Sequence, residues 1–194
     1  MSSHATTSRA SRAPRRIILY LSALLFLVVL ALTALTWLYV PPATRGGQAT
    51  GAPAELKVGA PAPEFQLKTL DGNTLSLSSF RGQPLWLNFW STTCGPCKEE
   101  MPDIVAVSRE ARERGVRLLA VDVGENPAIV RKYLAHTGYS VLPVAVDEKY
   151  EVAAAYNVYY MPMHVFIDSK GIIRRVEASK LSAAQMRDAT GDLR

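Results

Sequence analysis

Two cysteines are the only thiols of this 194-residue chain, and both lie in "FWSTTCGPCKEEMP", residues 89–102. Cys94 and Cys97, two residues apart, suit a redox couple, half of a metal site, or a pair of buried thiols. Thr92 and Thr93 are good cap residues, so the pattern predicts Cys94 at or near the first position of a helix following a strand. There its sulfur meets unpaired backbone N–H groups and the positive end of the helix dipole. Both favour the thiolate, and a thiol pKa falls from about 8.5 towards neutrality or below in such a place. Cys97 shares that face one turn deeper, within reach of a mixed disulfide on Cys94. The expectation is an exposed nucleophile, Cys94, and a buried resolving thiol, Cys97. Pro96 stiffens the turn, and Gly95 lets a substrate backbone approach.

The rival readings are weaker. A structural zinc site wants four ligands. The remaining candidates are His136 and His164, 28 positions apart, and His4 near the N-terminus. Inert thiols are not expected where a helix dipole would activate them.

The elements that must position the pair are legible around it. Asp71-Gly72-Asn73 sits between two short runs and signals a hairpin. "LWLNFW", residues 85–90, has the length and apolarity of a strand buried on both faces. A helix is expected from Cys94 to Arg114, with Pro102 kinking it and Gly115 stopping it. "VRLLAVDV" reads as a second buried strand. Asn126 and Pro127 then start a helix that ends by Gly138. A strand "PVAVD", a helix "EKYEVAAAYNV", strands "MHVFID" and "IIRRV", and a closing helix "LSAAQMRDA" follow. The order is a hairpin, then βαβαβα, then ββα. It predicts an α/β fold: a mixed sheet flanked by helices, with an N-terminal β-hairpin extension.

Ahead of that domain, expected over 56–194, lie three other segments. Residues 17–40 are 24 in a row without a charge; roughly 20 apolar residues cross a bilayer. Trp37 and Tyr39 suit its interface, and Arg9, Arg12, Arg15 and Arg16 make 1–16 a cytoplasmic basic flank. The run is longer than the apolar part of a cleaved leader, so a single transmembrane anchor is expected, with the C-terminal domain extracytoplasmic. Residues 41–55 read as a flexible linker. Without the four flank arginines, 18 basic residues face 17 acidic ones, so charge gives no reason to expect a nucleic-acid partner. Arg109, Arg112, Arg114 and Arg117 are interleaved with Glu110 and Glu113, as on a solvated helix face. Outside the cytoplasm a close cysteine pair tends to be oxidised.

"NFWSTTCGPCKEEMP" resembles the thioredoxin active-site segment, with Pro102 at that family's helix kink. "YNVYYMPMHVFIDSKG" resembles the segment holding its cis-proline, here Pro162. With "TLDGNTLSLSSFRGQPLWLNFW" and the stretch from Gly115 to Glu148, the chain resembles membrane-anchored extracytoplasmic thioredoxins of the ResA/TlpA kind. The resemblance implies a thioredoxin-like fold and a redox-active Cys94–Cys97 disulfide, with no other cofactor. It implies that Pro162, Met161, Gly95 and Pro96 contact an extended substrate. Asn88 stands where cytoplasmic thioredoxins have a buried Asp, and it cannot exchange protons. The resemblance to ResA-like proteins, which have a glutamate three residues after the second cysteine, implies that Glu100 takes that part: partly buried, its pKa raised, shuttling the proton of Cys97. The Gly-Pro dipeptide implies a reductant, near −270 mV by analogy with thioredoxin. A membrane thiol carrier would recharge it, and oxidised exported proteins such as apocytochrome c would be its substrates.

Two departures matter. Thr93 replaces the usual Trp, and Met163 and His164 replace a Thr-rich stretch after Pro162. Tyr159 or Tyr160 is expected to supply the missing apolar contact. In a strand, Met163, Val165 and Ile167 share one face while His164 and Phe166 share the other; His164 then reads as a satisfied strand histidine. A Cu(I) carrier using Cys94, Cys97 and nearby Met and His residues is the alternative, since thiolate and thioether suit Cu(I). Peroxide chemistry would need Thr and Pro where Ser91 and Leu87 stand.

Overall fold

The computed structural model describes residues 15–39 and 56–193. They belong to two units, each taken by itself. In the first, helix α1 spans Arg15–Tyr39. Among the described residues no helix is long and apolar enough to cross a membrane. The anchor expected over 17–40 is therefore not shown by the fold. Arg9, Arg12, the side chains of Arg15, Arg16, Trp37 and Tyr39, and the linker 41–55 lie outside the described residues.

In the second unit, strands β1 (Gln66–Thr69) and β2 (Thr74–Ser76) pair antiparallel around the expected turn. A 3-10 turn over Leu77–Phe80 leads to β3 (Leu85–Trp90), every residue of which is buried. Then come α2 (Gly95–Glu113), β4 (Arg117–Val123), α3 (Pro127–Thr137) and β5 (Val144–Asp147). Helix α4 (Glu151–Ala155), the hairpin β6 (Met163–Ile167) and β7 (Ile173–Glu177), and α5 (Ala183–Gly191) complete the chain. The sheet order is β2-β1-β5-β4-β3-β6-β7. Strands β3, β4 and β5 run parallel, and β1 and β6 lie antiparallel to their inner neighbours. This is the expected mixed sheet.

Local chemistry sets the boundaries. Asn126 caps α3 by accepting the Ala128 N–H at 2.9 Å, and Gly138, at φ 77°, ends it. Helix α4 is shorter than the expected 148–158. Tyr150 and Asn157 flank it with φ 60° and 50°, left-handed values that cannot continue a right-handed helix. Ser182 and Gln185 form a capping box at α5.

Alternation along β3 divides the core. Trp86 and Trp90 pack with α2, α3 and α5 on one face of the sheet. Leu85, Leu87 and Phe89 pack with α4 and Phe65 on the other. Burying one such side chain stabilises by about 1.5–3 kcal/mol. Arg109, Arg112, Arg114 and Arg117 are all exposed, as a solvated face requires.

Candidate active site

Strand β3 delivers the pair. Its buried residues end at Trp90, the chain turns through Ser91–Thr93, and α2 begins. The cap of α2 is Cys94 itself rather than Thr92 or Thr93. Its Sγ accepts the Cys97 N–H at 3.2 Å. The threonines are used otherwise: Thr93 Oγ1 meets Ser91 Oγ at 3.1 Å, and Thr92 is held by Glu125. Cys94 and Cys97 form a disulfide, with Cα atoms 5.3 Å apart. Cys94 is half-buried and Cys97 wholly buried. Gly95 and Pro96 are exposed beside them, and a side chain at Gly95 would meet no atom within 4 Å. Crowding within the chain therefore does not require glycine there.

The Met161–Pro162 peptide is cis. Pro162 is buried, and Met161 is half-buried against both halves of the core. Tyr159 and Tyr160, just before them, are 79% and 78% exposed.

A polar cluster lies beneath the pair, on the Cys97 side of the sheet. Glu100, one turn after Cys97, is fully rather than partly buried, at 2% exposure. Its Oε2 accepts the Leu181 N–H at 3.0 Å and its Oε1 accepts Asn88 Nδ2–H at 3.4 Å. Asn88 is the register partner of His164 on β6. Trp86 Nε1–H donates to His164 Nδ1 at 3.2 Å, and Asn88 Nδ2 lies 3.4 Å from the same nitrogen. A nitrogen that accepts carries no proton, so the imidazole proton sits on Nε2. Nε2 lies 3.3 Å from Glu100 Oε1, outside hydrogen-bond alignment. His164 is thus a partnered strand histidine, as expected, and also a neighbour of Glu100, which the sequence reading did not foresee. Glu99 turns outward and pairs with Lys180 at 2.7 Å; that hydrogen bond and charge hold its carboxyl below the ordinary range.

A second acidic pair went unread. Asp122 on β4 is wholly buried. Glu125, three residues on, accepts Thr92 N–H at 2.6 Å and Thr92 Oγ1–H at 2.7 Å. Burial, then the Glu125 carboxyl beside it, pushes the Asp122 carboxyl up to about 8. The available signal was an acid inside the apolar run "LLAVDV", followed by Gly124 and a second acid.

The softer-metal alternative is not favoured. Met163 packs into the core on the face of the sheet opposite Cys97, and both sulfurs of the pair are bonded to each other. Among the described residues, no three His, Cys, Asp or Glu side chains gather as a metal site would require.

The model of the AhpC/TSA family matches residues 58–176. The chain belongs to that family. Over 119 residues it is 38% identical to the thiol-disulfide oxidoreductase ResA of Geobacillus kaustophilus, covering 61% of this chain and 68% of that one. It is 32% identical to ResA of Bacillus subtilis over 130 residues, 67% of this chain and 72% of the relative. Among solved structures, a protein described as a putative thiol:disulfide interchange protein DsbE, from Chlorobium tepidum, superposes with a TM-score of 0.63 at 27% identity. That match covers 69% of this chain and 97% of the other. StoA from Bacillus subtilis gives 0.59 at 26%, covering 68% and 98%. The AhpC/TSA domain here has the thioredoxin-like α/β fold, and the protein is a thiol–disulfide oxidoreductase.

Proposed function

We propose that this oxidoreductase works mainly as a reductant of disulfides in exported proteins, from a domain tethered to the outer side of a membrane. The observation that carries the reading is the contrast within the pair: Cys94 reachable at the helix start, Cys97 wholly buried behind it. The Cys94 thiolate attacks a substrate disulfide, forming a mixed disulfide and releasing one substrate thiolate. The Cys97 thiolate then attacks Cys94 Sγ, closing the Cys94–Cys97 disulfide and releasing the second. Two electrons pass to the substrate, and the two protons left by the thiols end on its sulfurs. Glu100, one helical turn from Cys97, takes the Cys97 proton. Met161, Pro162, Gly95 and Pro96 receive the substrate chain, and Tyr159 and Tyr160 supply the apolar contact that Thr93 lacks.

The tether is supported by the 24 uncharged residues 17–40 and the arginines ahead of them. Apocytochrome c is the substrate class that the resemblance to extracytoplasmic thioredoxins implies, and a membrane thiol carrier would recharge the pair. Peroxide reduction is not proposed: Leu87 is buried on the sheet face away from Cys97, and the Ser91 hydroxyl contacts Thr93.

The test is to trap mixed disulfides in the cell with full-length Cys97→Ala. Exported proteins attached through Cys94 are expected, in the fraction that carbonate does not extract from membranes. Attachment only to cytoplasmic proteins, or carbonate-extractable protein, would overturn the placement. A glutathione equilibrium near that of strong oxidants, about −120 mV, would overturn the direction.

A further inference from the structure

Strand β4 brings Asp122 beside Trp90, its register partner at the end of β3. The chain then turns back through Gly124, at φ +82°, where a Cβ would collide with the Tyr150 ring. That turn aims Glu125 at the loop before Cys94. The Glu125 carboxylate takes both hydrogens that Thr92 can offer, its N–H and its Oγ1–H, one on each oxygen. Behind it, neither oxygen of Asp122 has a donor, although Asp122 is 0% exposed. A buried carboxyl beside another carboxyl is satisfied only when one of them carries a proton and donates it. Glu125 already has two donors, so the proton belongs to Asp122 and the charge to Glu125. The directions of the two pKa shifts agree. Burial raises Asp122, while for Glu125 burial is outweighed by hydrogen bonds from Asp122 and Thr92 that lower it.

We propose that Glu125 is a positioning residue whose carboxylate, clamped on Thr92, sets how readily the Cys94–Cys97 pair gives up electrons. The inference rests on the oxidoreductase reading of that pair. The start of α2 favours a thiolate at Cys94. A fixed anion held two residues ahead opposes it. Destabilising the thiolate destabilises the reduced form, so the pair moves towards its disulfide and becomes a stronger donor. Other charged groups of the region are already engaged or turned away. Glu100 bonds Leu181 and Asn88, Glu99 pairs with Lys180, and Lys98 is exposed.

The test equilibrates the full-length protein with glutathione at pH 7 and measures the alkylation rate of Cys94. Glu125→Gln keeps a hydrogen-bonding side chain and removes the charge. It is expected to move the equilibrium about three- to tenfold towards the dithiol, tenfold being about 30 mV, and to speed alkylation. Glu125→Ala moves it the same way and serves if the glutamine variant does not fold. Asp122→Asn, which replaces a neutral acid by a neutral amide, moves it less than twofold. A clamp with only a structural role would change stability and leave the equilibrium where it was. An unmoved equilibrium, a shift towards the disulfide, or equal shifts in Asp122→Asn and Glu125→Gln would each overturn the proposal. Failure of the wild type itself to exchange with glutathione would instead overturn the oxidoreductase reading beneath it.

Discussion

The Glu100 carboxylate accepts the Leu181 backbone N–H at 3.0 Å, across 81 positions of sequence. It joins the buried face of α2 to the entry of α5. Glu100 thus has a structural task besides the proton task proposed for it. Glu100→Gln separates the two: the amide oxygen still accepts from Leu181, the Asn88 contact is lost, and the amide cannot carry Cys97's proton. Disulfide reduction at pH 7 is expected to fall about 100-fold, with about 1 kcal/mol of stability lost with the Asn88 contact. Thiol titration curves identical to wild type would remove Glu100 from the mechanism.

Trp86 Nε1–H has its acceptor in His164. His164→Phe leaves that buried donor without a partner and is expected to cost about 1–3 kcal/mol in urea unfolding. Adding Trp86→Phe removes the orphaned group, so the double variant should lose less than the sum of the two singles.

Asp122 should make stability depend on pH. Its carboxyl is raised from 3.8 to about 8 by burial and by Glu125. As pH rises, the unfolded chain loses this proton first. Between about pH 4 and 8 the folded state is the more protonated, and stability falls with pH. The slope from one such group is at most about 1.4 kcal/mol per pH unit. Asp122→Asn should remove it, gaining on wild type at pH 8 relative to pH 5 in paired urea titrations.

Gly124→Ala should destabilise by about 1–3 kcal/mol, since the residue is held at positive φ and a methyl group would meet Tyr150. Tyr150→Ala in the same chain should recover the steric part and not the backbone part. Full recovery would show that the left-handed conformation costs nothing there.

Tyr159 and Tyr160 are expected to serve substrates rather than the fold, being almost wholly exposed. Alanine at both should leave the melting temperature within about 2 °C of wild type and raise KM for protein disulfides. Unchanged kinetics would leave Thr93 without a substitute for the missing Trp.

Much of this was legible in the sequence because local rules and tertiary demands agreed. The strand at 85–90, the Asn126-Pro127 start and the Gly138 stop each follow from a short window of residue types. The cap of α2 did not, because hydroxyl side chains are the usual caps and the sulfur of Cys94 took that place. Thr92 was free to be claimed from 33 positions away by Glu125, a contact that no local pattern encodes. His164 was placed on the correct face by strand alternation, while its proximity to Glu100 needed the packing of α2 on β6. Asp122 was hidden by its neighbours, since a buried acid inside an apolar strand looks like a polar interruption until its partner is seen.

The cap on α2 is itself one of the two redox atoms. A thiolate accepts a hydrogen bond more strongly than a disulfide sulfur, because charge strengthens the acceptor. Each turnover therefore tightens and loosens the first turn of that helix. Amide hydrogen exchange at Cys97 would report this directly, slower in the reduced protein than in the oxidised one. A docking partner could then sense the redox state from backbone mobility at the helix start, without touching either sulfur.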